Sequence, residues 1–283
     1  MKKKFISFLT YNYFAQQFLY YTFLFSLREY LIKFYNYLFK NLDVNQYFIN
    51  ELKTKKKSKD GWSIIFLTFD IKKNLTKKIL KYQKIFKKKN YEIIIITNFN
   101  KSKTSLNKVK IINLNSNKIT LGKKRNLAVK VSNYKNLIMT LDYFRLKKFN
   151  IKKIEKEISK NDLLMPKIKT LDNKRYLDWM YLDYPKIGKS FCPYNIKDRR
   201  YMYFHGSYLI LKKKFIEKNM FSNYLDHRQG EDVKWSIKVR KKIRFSLTNN
   251  LNLILERFSY QSEVLNDKNF IKNNKSQKTK YNA

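Results

Sequence analysis

The chain has 283 residues, 43% of them hydrophobic and 17% aromatic, which is too apolar for a disordered protein and long enough for one sizeable domain with additions. Its 63 Lys and Arg against 21 Asp and Glu give a formal net charge of +42, but the lysines run along the whole chain instead of forming a patch. No paired-cysteine spacing or Gly-rich RNA-binding signature accompanies them, so no specific nucleic-acid partner is expected. With Cys192 the only cysteine and His205 and His227 the only histidines, an intramolecular disulfide and a thiolate or multi-histidine zinc site are excluded, and any metal must be held largely by oxygen.

The run from Phe5 to Leu27 carries no charge and is flanked by Lys2, Lys3, Lys4 and Arg28. It has the length of a membrane span. Asn12, Gln16 and Gln17 near its middle and the scattered Tyr residues favour instead a helix lying in the interface of an anionic leaflet; a helical hairpin packed on Tyr30 to Phe39 and a true span are the alternatives. No small-residue cleavage site follows, so a signal peptide is not expected. The basic break "KTKKKSKDG", Lys53 to Gly61, marks a domain boundary, with residues 1–58 as an N-terminal extension.

Beyond it the pattern changes. Trp62 to Phe69 reads as a buried strand, Leu75 to Lys88 as an amphipathic helix and Tyr91 to Asn98 as a second buried strand. Val109 to Leu114 is a short strand, Gly122 to Asn133 a helix, and Asn136 to Asp142 a strand ending in an acid. Continuous apolar runs alternating with helices predict a mostly parallel sheet covered on both faces. Ligands of such sheets bind beyond the carboxyl ends of the strands, where Thr68, Asn98 and Asp142 would lie. From Lys147 to Tyr201 the pattern weakens and Pro166, Pro185 and Pro193 imply loops. Met202 to Glu217 restores a strand and then a helix, and another helix begins near Gly230 with Glu231 and Asp232 in its first turn. Those two acids could simply offset the partial positive charge of the exposed N–H groups there. After Glu256 the chain turns polar, and residues 263–283 read as a frayed tail.

The order of these elements, with "KKRN" (Lys123 to Asn126), "LDYF" (Leu141 to Phe144) and "GEDVKW" (Gly230 to Trp235), resembles the GT-A fold glycosyltransferases, in particular the family 2-like members. The similarity covers about residues 62 to 248, within a domain taken as 59–262, and implies an α/β architecture of the Rossmann-like GT-A type with a mixed, mostly parallel sheet. In that superfamily the strand-end acid belongs to an Asp-x-Asp element that holds a divalent cation, Mn²⁺ or Mg²⁺, on the diphosphate of a nucleotide-sugar donor. Here Asp142 fills the first position and Phe144 stands at the second, so the element is degenerate and Asp142 is the single metal ligand the resemblance supplies.

The resemblance also assigns roles to other residues. Asp232 matches the general base that removes the proton of the acceptor hydroxyl in inverting members, and Glu231 would orient a sugar hydroxyl or that base. Thr68, Asn98, Lys124, Arg125, Asn126 and Gly206 fall where family members contact the nucleotide or the sugar. Lys123 and its two basic neighbours could share the neutralisation of the leaving diphosphate, or form a solvated helix face. His205 stands at a point that faces the donor in relatives, though a buried, hydrogen-bonded histidine is the preferred reading, and "YLDW", Tyr176 to Trp179, could stack on a sugar or fill the core. The expected function is a cytoplasmic, membrane-peripheral glycosyltransferase that transfers a sugar to a glycan or lipid-linked acceptor in cell-envelope synthesis. A nucleotidyltransferase and a basic membrane- or nucleic-acid-binding protein on a degenerate transferase fold are the competing readings.

Overall fold

A computed structural model of the chain describes residues 58–71, 73–99, 109–114, 119–176, 178–183, 188–191, 202–225 and 230–256, together with four helical positions, Leu27, Tyr30, Leu31 and Phe34. The expectation of an interfacial helix concerns a segment that, Leu27 apart, lies outside these residues, and so does the expected tail at 263–283. Among the described residues no helix is long and apolar enough to cross a membrane.

The elements follow in the order β1 (Lys59–Asp70), α1 (Lys73–Phe86), β2 (Tyr91–Phe99), β3 (Val109–Asn113), α2 (Leu121–Val131), β4 (Tyr134–Leu141), β5 (Phe144–Phe149), α3 (Ile151–Lys160), β6 (Leu163–Lys169), β7 (Trp179–Asp183), β8 (Gly188–Phe191), β9 (Met202–Phe204), β10 (Tyr208–Lys212), α4 (Lys213–Lys218), α5 (Glu231–Val239) and β11 (Phe245–Leu255). Eight strands form one sheet in the order β3-β2-β1-β4-β10-β6-β11-β5, and β8-β7-β9 form a small second sheet. Strands β3, β2, β1 and β4 run parallel, as do β6 and β11, while β10 and β5 pair antiparallel to their neighbours.

The parallel half forms because its strands are apolar on both sides. Successive side chains of a strand point to opposite faces. Trp62, Ile64 and Phe66 of β1 meet Leu75, Ile79, Tyr82 and Phe86 of α1 on one face, with Ile154 and Ile158 of α3 in the same core. On the other face Ile65 and Leu67 meet Leu127, Ala128 and Val129 of α2, with Trp235 and Val239 of α5. Burying each of these large side chains stabilises the fold by roughly 1.5–3 kcal/mol.

Two expectations need correction. The stretch after Lys147 is not loop around Pro166: it holds α3, capped by the Asn150 side chain accepting from the Lys153 N–H at 3.2 Å, and β6, which runs through Pro166 inside the main sheet, while Pro185 and Pro193 lie outside the described residues. A proline lacks the ladder donor and is tolerated at irregularities. Here β10 pairs with β6 only at Leu163 and Leu164, and the β6–β11 register shifts between Thr248, opposite Pro166, and Asn252. The second correction is at Met202 to Lys212. The single strand expected there is two, β9 in the small sheet and β10 in the large one, separated by the turn His205–Gly206–Ser207.

Candidate functional site

The sheet brings three strand ends together. Thr68 lies opposite Thr97, and Leu67 opposite Leu141, so Thr68, Asn98 and Asp142 follow one another across β1, β2 and the end of β4. The Thr68 hydroxyl lies 2.7 Å from Oδ2 of Asp142 and 2.7 Å from the carbonyl of Asp70, donating its one proton to either. Asp142 is half-buried, and its own carbonyl accepts from the Lys78 ammonium, which pairs with Glu256 at 2.7 Å. Helix α2 starts at the same edge because Thr120 caps it, accepting from the Lys123 N–H at 3.2 Å. From its first turn the buried Lys124 ammonium donates to Oδ1 of Asn98. Lys123, half-buried one residue earlier, has its pKa lowered by burial and then by the charge of Lys130.

Phe144, at the second position of the Asp-x-Asp element, is buried as the first residue of β5, its ring edge-on to Tyr208. It belongs to the core. Among the described residues no group of three or more His, Cys, Asp or Glu side chains is arranged to hold a metal.

A second cluster surrounds the turn between β9 and β10. Arg125 is 1% exposed, and its guanidinium donates from Nη1 to the carbonyl of Gly206 at 2.5 Å and from Nη2 to Oε1 of Glu231 at 3.3 Å. The Phe221 ring lies 5.0 Å from its Cζ. A buried guanidinium stays charged, so Glu231 is its required counter-ion. Gly206 in turn gives its N–H to Oδ2 of Asp232 at 3.1 Å, and Ser207 accepts from the Leu141 N–H at 3.0 Å. One three-residue turn therefore touches the end of β4 on one side and the start of α5 on the other. A Cβ at 206 would lie 2.7 Å from Nη2 of Arg125 and 3.0 Å from Cβ of Asp232, so the Arg125 guanidinium would have to shift to admit one. Gly230, which opens α5, has a φ of 82° that also favours glycine.

The sequence-derived residues thus fall into two groups joined by the 205–207 turn: Thr68, Asn98, Lys124 and Asp142 at the strand ends, and Arg125, Gly206, Glu231 and Asp232 beyond it. Asn126 stands apart. Its amide donates to the carbonyl of Phe221 at 2.9 Å and to Oδ1 of Asn223 at 2.7 Å, and it accepts from the Phe221 N–H, so it ties down the segment before α5. The His205 ring shares a hydrogen bond with Ser207 at 3.1 Å, and the buried Tyr176 lies edge-on to it. Lys234, half-buried in the first turn of α5, has its pKa lowered by burial and then by Lys238.

Sequence reasoning missed Tyr203 and Ser236. The phenol of Tyr203 donates to Oδ2 of Asp232, and the Ser236 hydroxyl accepts from the Phe204 N–H at 2.9 Å while lying 2.7 Å from the Asp232 carbonyl. A signal existed for the first. A Tyr amid apolar residues in a buried strand, as in "MYF", needs a partner for its hydroxyl.

This arrangement is that of the GT-A fold, an eight-stranded, mixed, mostly parallel sheet flanked by helices. Among solved structures the chain is similar to TarS from S. aureus. A structure of TarS residues 1–349 matches with a TM-score of 0.52 at 16% identity, over 69% of this chain and 60% of that one. A longer TarS structure matches with a TM-score of 0.53 at 18% identity, over 70% of this chain and 37% of that one. The chain thus spans less than two thirds of either. No protein-family model matches the sequence, and no curated protein does.

Proposed function

We propose that the chain is a glycosyltransferase that moves a sugar from a nucleotide-sugar donor to a glycan or lipid-linked acceptor, with inversion and with Asp232 as base. The observation that carries this reading is the 205–207 turn, which links the strand-end acid Asp142 to the Glu231–Asp232 turn of α5 through Leu141 and Gly206. The fold shared with TarS, a glycosyltransferase, adds support.

In this mechanism Asp232 takes the proton from the acceptor hydroxyl as that oxygen bonds to the anomeric carbon. The bond from that carbon to the diphosphate breaks on the opposite face, and the nucleoside diphosphate leaves with the electron pair. Lys123 and Lys124 sit at the strand ends, where a diphosphate would relieve the cost that burial imposes on the Lys123 ammonium. Asn98 and Thr68 are the polar groups available to the nucleotide. Glu231 acts through Arg125, fixing the carbonyl of Gly206 and with it the turn that meets Asp232.

A divalent cation fits this site in a limited way. Asp142 is the carboxylate at the end of β4, and a cation of the Mg²⁺ type commonly takes one or two carboxylates with the rest of its shell from phosphate and water. When bound, it would neutralise charge on the leaving diphosphate. Residues 1–58 would form a membrane-associating extension and 263–283 a tail. Leu27, Tyr30, Leu31 and Phe34, exposed at i, i+3, i+4 and i+7 of one helix, supply an apolar stripe suited to lie on the inner face of an anionic plasma membrane, on the cytoplasmic side where the donor is made.

The test is a panel of UDP- and GDP-sugars with and without Mn²⁺, read by thermal shift and by release of nucleoside diphosphate. Stabilisation and release with one donor are expected. Binding of no nucleotide sugar at all would sink the proposal and favour the second reading, a basic binding protein on a degenerate transferase fold, for which the buried Phe144 speaks.

A further inference from the structure

The proposed base is held from outside its own helix. An acid in the first turn of a helix can satisfy itself on that helix, and Oδ1 of Asp232 does accept from the Val233 N–H at 2.9 Å. Oδ2 is different. It accepts from the Tyr203 phenol and from the Gly206 N–H, both supplied by the chain segment that leaves the small sheet. Between them, Phe204 gives its N–H to the Ser236 hydroxyl one turn further along α5. Residues 203, 204 and 206 are therefore laced to α5, two of them through Asp232 itself. Tyr203 is 1% exposed, so its hydroxyl has no bulk water to fall back on and donates to the Asp232 carboxylate.

From this geometry we infer that Tyr203 is a positioning residue, whose phenol holds the Asp232 carboxylate ionised and turned toward the 205–207 turn. The inference rests on the reading of Asp232 as base. A hydrogen bond donated to a carboxylate favours its charged form, and one anchored on a buried ring also fixes the rotamer. Among the described residues, the other charged and titratable groups near Asp232 include His205 from the β9–β10 turn, Arg125 from α2, and Glu231 and Lys234 from its own helix turn. Arg125 and Glu231 neutralise each other, and the phenol and the Gly206 amide both donate to Oδ2. The small sheet thus has a use: β9, paired to β7 with Tyr203 opposite Met180, fixes the ring.

The experiment is a carbon-13 carboxyl titration of the full chain labelled at aspartate, with the Asp232 resonance identified by its loss in Asp232→Asn. In Tyr203→Phe the titration midpoint of Asp232 is expected to rise by about one pH unit or more, the size of a lost hydrogen bond to a charged group. Site-specific 3-fluorotyrosine at position 203, a stronger donor of nearly the same shape, should move the midpoint downward, and it decides the matter if Tyr203→Phe does not fold. An unmoved midpoint in either folded protein overturns the inference. Failure of the functional reading is separable: release of nucleoside diphosphate undiminished in Asp232→Asn would remove the base while leaving any Tyr203 titration effect in place.

Discussion

Asp142 and Asp232 are both half-buried acids at the edge of the same fold, yet they are held in opposite ways. Asp142 ends a parallel strand and has one side-chain contact, the Thr68 hydroxyl at 2.7 Å, while its backbone is pinned through Lys78 and Glu256. Asp232 accepts from Tyr203, Gly206 and Val233, donors on three different residues. The contrast suits the two kinds of work proposed for them. A carboxylate that shares a cation with a diphosphate must adapt to what arrives, whereas one that removes a proton must already point at it.

The sharpest way to break the second arrangement is to remove its support. Arg125→Met takes the buried counter-ion away from Glu231, and a loss of about 3–5 kcal/mol of folding stability is expected, measured by urea unfolding. A loss under about 1 kcal/mol would mean that the pair is solvated and that the turn stands without it. Asp232→Asn should come next, with at least about a hundredfold lower transfer and a donor affinity close to that of the parent protein, because the base acts on the acceptor. Unchanged turnover in the folded variant would return Asp232 to the role of a helix-end charge.

On the looser side of the comparison, Asp142→Ala should weaken nucleotide binding in the presence of Mn²⁺ by about tenfold while changing it little in the metal's absence, as read by calorimetric titration with UDP and GDP. Equal affinities for parent and variant would take Asp142 out of the site. The smallest effect is expected far from both acids. Lys135 and Asp60 pair at 2.8 Å but are 55% and 87% exposed, so Lys135→Ala should cost less than about 1 kcal/mol.

The two halves of the sheet also differed in how far the sequence revealed them. In the parallel half, β1, β2 and β4 carry continuous apolar runs that only a doubly covered sheet can bury, and Thr68, Asn98 and Asp142 fell at their ends as the pattern required. The mixed half hides its periodicity. In β6 the run is interrupted by Pro166, which the register shift absorbs, and α3 buries only Ile154 and Ile158 among many lysines. Helix α5 and its two acids were legible, but what holds them was not. Arg125 is 106 residues from Glu231 and Tyr203 is 29 from Asp232, separations at which no local spacing rule operates. The three consecutive basic residues that open α2, Lys123, Lys124 and Arg125, looked alike in the sequence. The fold separates them, with Lys123 half-buried, Lys124 on Asn98 and Arg125 inside the core.

The burial of Arg125 has a bearing on how relatives of this chain should be compared. Glu231 answers a permanent positive charge inside the protein, so selection for a folded chain alone is enough to preserve it, whatever becomes of the chemistry. Asp232 answers no buried charge: its partners are neutral, the Tyr203 phenol and the Gly206 and Val233 amides, and an uncharged acceptor such as asparagine could still serve them. A descendant that had given up transfer could exchange Asp232 for such an acceptor but would be obliged to keep Glu231, together with Arg125. Of two adjacent acids, the first marks ancestry and the second marks occupation.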